Sequence, residues 1–280
     1  MGTNSTLAVQ SQTSHFLSRQ ELRTVSYLCR LMKNALMQAE WFIDWFDSPY
    51  YHILYQYRDD AEAKEFIDCL LRMLQPKTGA RILDLACGRG RYSRHIAQKG
   101  FEVVGLDLSP QSIAYARQHE RDNLSFYTHD MRLPFRINFF DYTFSFFTSF
   151  GYFEQDQEDL RMLKSVAAGL RPGGFFVLDF FNARYVTSRL AGKEAKEVEG
   201  IVFNIHKYQD GLFVRKSIEF EAQGRLCRYE EKVRLFTLPE LEGLFRAADL
   251  KILRTFGDYQ LGPYREAESP RLILLAQYAP

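Results

Sequence analysis

The stretch from Arg81 to Asp107 restricts the fold more than any other part of this chain. Arg81-Ile-Leu-Asp-Leu-Ala86 is a short apolar run, and Cys87-Gly88-Arg89-Gly90 follows at once. Tyr92 to Lys99 then reads as a helix stopped by Gly100, and Phe101 to Asp107 is a second apolar run. Two such runs joined by a glycine turn and one helix form a crossover unit, which sets its strands parallel. The rhythm continues. Ser109-Pro110 opens a helix, with the serine as cap and the proline where a first turn tolerates it. Leu124 to Thr128 gives a third strand, Asp141 to Phe147 a fourth, Asp156 to Leu170 a helix, and Phe175 to Phe180 a fifth strand after the Arg171-Pro172-Gly173-Gly174 turn. The expected fold is α/β: a three-layer, Rossmann-like sandwich around a mainly parallel seven-stranded sheet buried on both faces. Lys251 to Phe256 and Arg271 to Tyr278 supply the last two strands, as an antiparallel terminal hairpin.

Two additions flank this unit. Residues 1–18 are rich in Ser, Thr and Gln, lack the basic start and apolar core of a secretory signal, and read as a mobile tail. Residues 19–76 read as an N-terminal helical cap. An amphipathic pattern from Arg19 to Phe46 is broken by Ser48-Pro49; an aromatic connector, Tyr50 to Tyr55, leads to a second helix from Asp60 to Leu74. The main domain, residues 77–280, carries an antiparallel β insertion after strand five, at residues 196–236. Within it Glu199 to Tyr208, Leu212 to Glu221 and Cys227 to Leu235 alternate in polarity and are separated by glycine turns, which predicts a three-stranded meander. Thr237-Leu-Pro-Glu240 fits a capping box that opens a helix.

Composition excludes several classes. Of 280 residues, 46% are apolar and 25% charged, so a folded globular chain is expected rather than disorder. No apolar run approaches the ~18–20 residues needed to cross a bilayer. With 36 basic and 35 acidic residues the formal net charge is +1, which argues against general attraction to nucleic acid or an acidic membrane. Four cysteines show neither metal spacing nor a disulfide framework, so no metal is expected and a cytoplasmic location is.

The glycine turn sits where a strand ends and a helix begins. Small residues there admit close backbone approach, and the free amides of the helix start favour electron-rich ligand atoms. Asp107 ends the second strand nineteen residues after Gly88, where an acid can accept from both hydroxyls of a ribose. The third glycine of a dinucleotide fingerprint is missing, as is the Gly-Lys-Ser/Thr of a phosphate loop. The pattern Asp84-x-Ala86-x-Gly88-x-Gly90 instead resembles the first motif of class I S-adenosylmethionine-dependent methyltransferases, with alanine replacing the first glycine. Val104 to Ser109 resembles their second motif, Thr128-His-Asp-Met131 their acidic position beside adenine, and Leu170 to Gly174 their turn before strand five.

The resemblance implies S-adenosyl-L-methionine as cofactor. It places Asp84, Ala86, Gly88, Asp107 and Leu108 around its amino acid and ribose parts, and Asp130 and Met131 at the adenine. Phe147, at the end of strand four, falls beneath the transferred methyl, and Tyr51, with Tyr55, closes over the cofactor. Strand four lacks the Asn/Asp-Pro-Pro-Tyr of enzymes acting on exocyclic or amide nitrogens, which leaves a small-molecule acceptor, methylated at nitrogen or oxygen. No catalytic base stands out. His52 on the aromatic connector is the best candidate, Cys87 reads as buried filler, and Asn182, Arg184 and Tyr185 after strand five are expected to face the same cleft. The insertion can roof the acceptor pocket or support a homodimer. Two other classes stay open at this level: a nicotinamide-dependent oxidoreductase, and a non-catalytic protein that binds S-adenosylmethionine as partner of another enzyme.

Overall fold

The computed structural model describes residues 40–56, 60–190 and 192–280. The expected tail and most of the first cap helix, up to residue 39, lie outside the described residues. Helices α1 (Trp41–Phe46), α2 (Pro49–Leu54) and α3 (Asp60–Leu74) precede a seven-stranded sheet. In chain order its elements are β1 (Arg81–Leu85), α4 (Arg91–Gln98), β2 (Glu102–Asp107), α5 (Pro110–Arg117), β3 (Leu124–Thr128), β4 (Phe140–Ser145), α6 (Asp156–Gly169) and β5 (Leu170–Phe181). A short helix α7 (Ala183–Thr187) leads into β6 (Gly192–Val198), β7 (Ile201–Asp210), β8 (Phe213–Ala222) and β9 (Arg225–Arg234), after which α8 (Leu238–Arg246), β10 (Leu250–Phe256) and β11 (Arg271–Tyr278) complete the main sheet.

The strand order is β10-β11-β5-β4-β1-β2-β3. Strands β1 to β5 pair in parallel, and β11 runs against both β5 and β10, so the reversed strand is β11 alone. The order turns at β1, flanked by β2 and β4, which puts the ligand crevice at the carboxyl ends of β1 and β4. Both sheet faces are apolar. Leu83, Leu85, Phe176, Leu178 and Phe180 pack with α6 and α8, while Ile82, Phe144 and Val177 pack with Phe66, Ile67 and Leu70 of α3 and with Ile96 and Ile113. Burial on both sides is why the strands read as continuous apolar runs.

Three expectations change. The Tyr50–Tyr55 connector is helix α2, started by Pro49 with Ser48 Oγ accepting from the Tyr50 amide at 3.2 Å. The Ser48-Pro49 break therefore caps a new helix rather than opening a loop. The insertion has four strands, not three: β6 pairs along its length with β7. Lys193, Glu194, Lys196 and Glu197 are exposed on this edge strand, so it lacks the alternation that marked the other three. The Arg171–Gly174 turn is absorbed into β5 as a bulge, with Leu170 opposite Phe140 and Phe175 opposite Tyr142.

The cap joins the two sheets. Trp45 and Leu54 are buried against Val198, Phe203, Ile205, Ile218 and Phe220 of the insertion. On the other side Asp47 accepts from Ser109 Oγ at 2.5 Å and from the Gln111 amide at 3.0 Å, at the N-terminus of α5.

Candidate functional site

A cleft of about 560 Å³ opens at the carboxyl ends of β1 and β4, a size that fits a small-molecule site of roughly 300–1,000 Å³. One wall is the turn after β1. Ala86 adopts φ +60°, Gly88 +55° and Gly90 +73°. A Cβ on Gly88 would meet nothing within 4 Å, so that backbone faces open space, whereas one on Gly90 would strike the Phe126 ring at 2.5 Å. The first glycine thus leaves room beside the backbone, and the second lets the turn rest on β3. Ala86 holds a left-handed conformation that glycine adopts more readily, the physical meaning of the departure at this position.

Asp84 lies beneath the turn, buried, with Oδ2 accepting from Ser93 Oγ at 2.5 Å. Burial raises its pKa to about 7, partly opposed by the hydrogen bonds from Ser93. Asp107 braces the turn from behind: Oδ2 accepts from the Gly88 amide at 2.7 Å and Oδ1 from the Ser109 amide at 2.8 Å. Burial raises its pKa while the amides of Ser109, Gly88 and Leu108 pull it back. Cys87 is buried, and burial pushes its thiol well above the ordinary range, consistent with filler rather than nucleophile.

The floor is the loop after β4. Phe147 and Thr148 both take left-handed backbone, φ +55° and +62°. They are held by buried Asp179, which accepts from the Phe147 amide at 2.9 Å and the Tyr259 hydroxyl at 3.2 Å, and pairs with Arg271. Arg271 in turn reaches Thr148 Oγ1 at 3.1 Å. Consecutive non-glycine residues in this region persist only where their surroundings over-determine them.

The remaining walls come from the cap and the insertion. Trp41, Phe46, Tyr51, His52 and Tyr55 line the cleft from the cap, and Lys207, Lys216 and Glu231 from the insertion on which the cap packs. Glu231 Oε1 accepts from Trp45 Nε1 at 2.8 Å and from the Tyr55 hydroxyl at 2.5 Å, and Lys216 donates to the same hydroxyl.

Of the residues expected from sequence, Tyr51, Asp84, Ala86, Gly88 and Phe147 line the cleft. Asp107 stands just behind Gly88, outside the cleft lining, and Leu108 packs against the central core. Asp130 is engaged by the Arg132 guanidinium, at 3.1 Å from Nε and 2.7 Å from Nη2, contacts that hold its pKa low. Met131 packs against the central core. His52 lines the cleft with Nε2 3.3 Å from Ser112 Oγ. Asn182, Arg184 and Tyr185 do not line it. Asn182 is buried, holding the Glu266 and Ser269 carbonyls, and Arg184 pairs with Glu266. Sequence reasoning missed Lys207, Lys216 and Glu231. The available signal was Lys216, which shares one face of its strand with apolar Val214 and Ile218.

A switched parallel sheet, a glycine turn at the crevice and an acid braced on that turn define a Rossmann-like nucleotide-cofactor domain. Comparison with known proteins narrows this. Residues 82–174 match the methyltransferase domain family. The chain is 30% identical over 216 residues to the putative methyltransferase YqeM of Bacillus subtilis, covering 72% of this chain and 85% of that protein. It is 29% identical over 204 residues to dTDP-3-amino-3,4,6-trideoxy-alpha-D-glucopyranose N,N-dimethyltransferase of Streptomyces venezuelae, covering 69% and 83%. SAM-bound CalS10, an amino pentose methyltransferase from Micromonospora echinaspora, superposes with a TM-score of 0.64 at 24% identity over 82% of this chain and 98% of that one. The chain belongs to the class I S-adenosylmethionine-dependent methyltransferases, and S-adenosyl-L-methionine is its cofactor.

Proposed function

We propose that this enzyme methylates an amine nitrogen of a small molecule. The observation that carries this reading is the lining of the cleft: the aromatic cap and the four-stranded insertion it packs on add walls to the crevice, which suits a small acceptor better than a polymer. One relative bears the name of an amino-sugar N,N-dimethyltransferase, which supports nitrogen as the methylated atom. We also read the acceptor as no nucleic acid, from the formal net charge of +1, and the enzyme as cytoplasmic, from four cysteines without a disulfide framework.

S-adenosylmethionine, when bound, supplies a methyl on a sulfonium already activated for displacement. The chain's residues then have three tasks. Gly88 and Asp107 hold the cofactor, the former by its open backbone and the latter by a carboxylate just behind that backbone. Phe146 and Phe147 form the floor, fixed through Asp179, and Tyr51, Trp41 and Phe46 exclude water. Alignment of this kind contributes about 7–11 kcal/mol to a two-reactant step. Nitrogen needs a neutral lone pair, and Glu231 offers a carboxylate inside the cleft to receive an ammonium and its proton.

The test is incubation with isotopically methyl-labelled S-adenosylmethionine and matched small amines and alcohols, with S-adenosylhomocysteine release as readout. Carbon resonances of the product locate the label. N-methyl products are expected; label confined to oxygen refutes the nitrogen reading.

A further inference from the structure

We propose that the acceptor is an amphipathic amine: its apolar body lies on an aliphatic wall formed by Val186, Leu190, Val214 and Val233, and its nitrogen turns towards Glu231. The amine end rests on the nitrogen reading above; the wall is a separate observation and specifies the substrate class. Three parts of the chain build it. Val186 lies in α7 with Leu190 just beyond, Val214 lies in β8, and Val233 lies in β9. Val214 and Val233 stand directly opposite each other in the β8–β9 pair, so they share one face of the insertion. With Val186 they pack on the central core beside buried Phe181.

All four aliphatic side chains are only half-buried, and all four line the cleft, so their uncovered sides face it. None belongs to the glycine turn or to the loop after β4, which leaves the wall to the acceptor rather than to the cofactor. Covering such a surface is favourable in proportion to its apolar area, with water as the only competitor. A hydroxyl laid against it gives up water and finds no partner.

The charges beside the wall are satisfied within the insertion and cap. Lys207 pairs with Glu194 at 2.7 Å, Lys216 with Glu231 and the Tyr55 hydroxyl, and Arg215 with Asp210 and Glu230, each at 2.7 Å. A phosphate or carboxylate on the acceptor would have to displace one of these partners. An apolar body displaces none of them. The row next to the valines on the same face holds Lys216 and Glu231, two residues along each strand. Two residues of strand advance by about 7 Å, a distance that an alkyl chain of hexylamine's length spans. Glu231 thus gives one end of the wall the charge complementary to an ammonium.

Calorimetric titration of the full chain loaded with S-adenosylhomocysteine tests this without turnover. The probes are n-butylamine, n-pentylamine, n-hexylamine, 1-hexanol and D-glucosamine. Each added methylene is expected to tighten binding about two- to fourfold, and D-glucosamine to bind at least about tenfold more weakly than n-hexylamine. Val214→Thr and Val233→Thr, which keep the side-chain shape and add a hydroxyl, should each weaken n-hexylamine and 1-hexanol alike by about three- to tenfold. Glu231→Gln should weaken n-hexylamine about tenfold and spare 1-hexanol. Unchanged affinity for S-adenosylhomocysteine certifies that each variant is folded. Affinity independent of chain length, D-glucosamine bound as tightly as n-hexylamine, threonine variants without effect, or no binding of any probe each overturns the assignment. If 1-hexanol binds as tightly as n-hexylamine and Glu231→Gln changes neither, the nitrogen reading is refuted while the wall is upheld. N-methylation of D-glucosamine as efficient as that of n-hexylamine on addition of S-adenosylmethionine would do the opposite.

Discussion

Asp159 offers a quantitative test of how the loop beneath the cleft is held. It lies in the first turn of α6, fully inaccessible to solvent. Oδ1 accepts from the Gly151 amide at 3.0 Å, and Oδ2 has no hydrogen-bond partner. Burial raises its pKa to about 8; Asp156 and Glu158 add to the rise, and the Gly151 amide and Arg234 oppose it. Gly151 also ties the loop to the insertion, since its carbonyl accepts from the Arg234 amide at 2.7 Å. The loop is the one that carries Thr148, Ser149 and Tyr152 to the cleft wall.

A carboxyl whose folded-state pKa stands above its unfolded value, about 4 for aspartate, keeps a proton on folding that the unfolded chain releases. Its contribution to stability is therefore complete below pH 4 and is lost progressively as pH rises towards 8. Each unit between those limits is worth about 1.4 kcal/mol, so at pH 7 the native protein gives up about 4 kcal/mol relative to a neutral isostere. Partial hydration of the ionised form reduces this to about 2–4 kcal/mol. Asp159→Asn keeps the acceptor for Gly151 and cannot ionise. Urea unfolding of wild type and Asp159→Asn at pH 5, 6, 7 and 8 should show the variant more stable, by a margin that widens with pH. Taking the difference between the two proteins cancels the titration of every other group. A margin that stays constant from pH 5 to pH 8 would refute the reasoning, because Asp159 would then titrate alike in both states.

Three further outcomes follow from the turn after β1. Ala86→Gly, which relieves the left-handed alanine, should raise stability by about 0.5–1 kcal/mol after the greater freedom of unfolded glycine is deducted, read as a melting temperature about 1–3 °C higher. Gly105→Ala places a Cβ 2.5 Å from the Phe126 ring and 2.9 Å from Cys87 Sγ, and should cost about 1–3 kcal/mol in denaturant unfolding. Asp107→Ala should weaken S-adenosylmethionine binding by about 1.5–3 kcal/mol in calorimetry with the circular dichroism spectrum retained; an unchanged affinity would show that this carboxylate does not hold the cofactor.

The main sheet was legible because its central strands, β1, β2, β4, β5 and β11, are buried on both faces, so apolar run, turn and helix alternate without ambiguity. The glycine turn was legible for a different reason: backbone approach restricts residue type strongly at Ala86, Gly88 and Gly90. What escaped depends on tertiary neighbours. Helix α2 is dense in aromatic residues and takes its form from the Ser48 cap and from burial of Leu54 against the insertion. Strand β6 is a polar edge whose only signature is its ladder with β7. Asn182 and Arg184 follow strand five, where cleft residues are expected, yet the segment through Glu266 and Ser269 claims them. Asp130 has a neighbour two residues away, Arg132, that occupies it, and charge pairing of that kind is invisible without a backbone to direct it.

The position of the insertion adds walls to a crevice that the sheet alone leaves bare. A parallel sheet alone leaves the carboxyl ends of β1 and β4 facing solvent. Here the chain leaves β5, builds four antiparallel strands and returns through Arg234, whose amide is fixed to Gly151 in the loop after β4. The cap then spans the gap. Trp45 and Tyr55 reach Glu231 on the insertion, while Asp47 reaches Ser109 and Gln111 beside Asp107. Each wall is thus tied to the next by hydrogen bonds at residues that line the cleft or adjoin it. A change at one wall, such as loss of Glu231, removes a partner from Trp45 and Tyr55 of the cap as well as from Lys216 of the insertion. A substitution on the cap is therefore expected to change the insertion's side of the cleft as well, while the glycine turn of the sheet keeps its own supports.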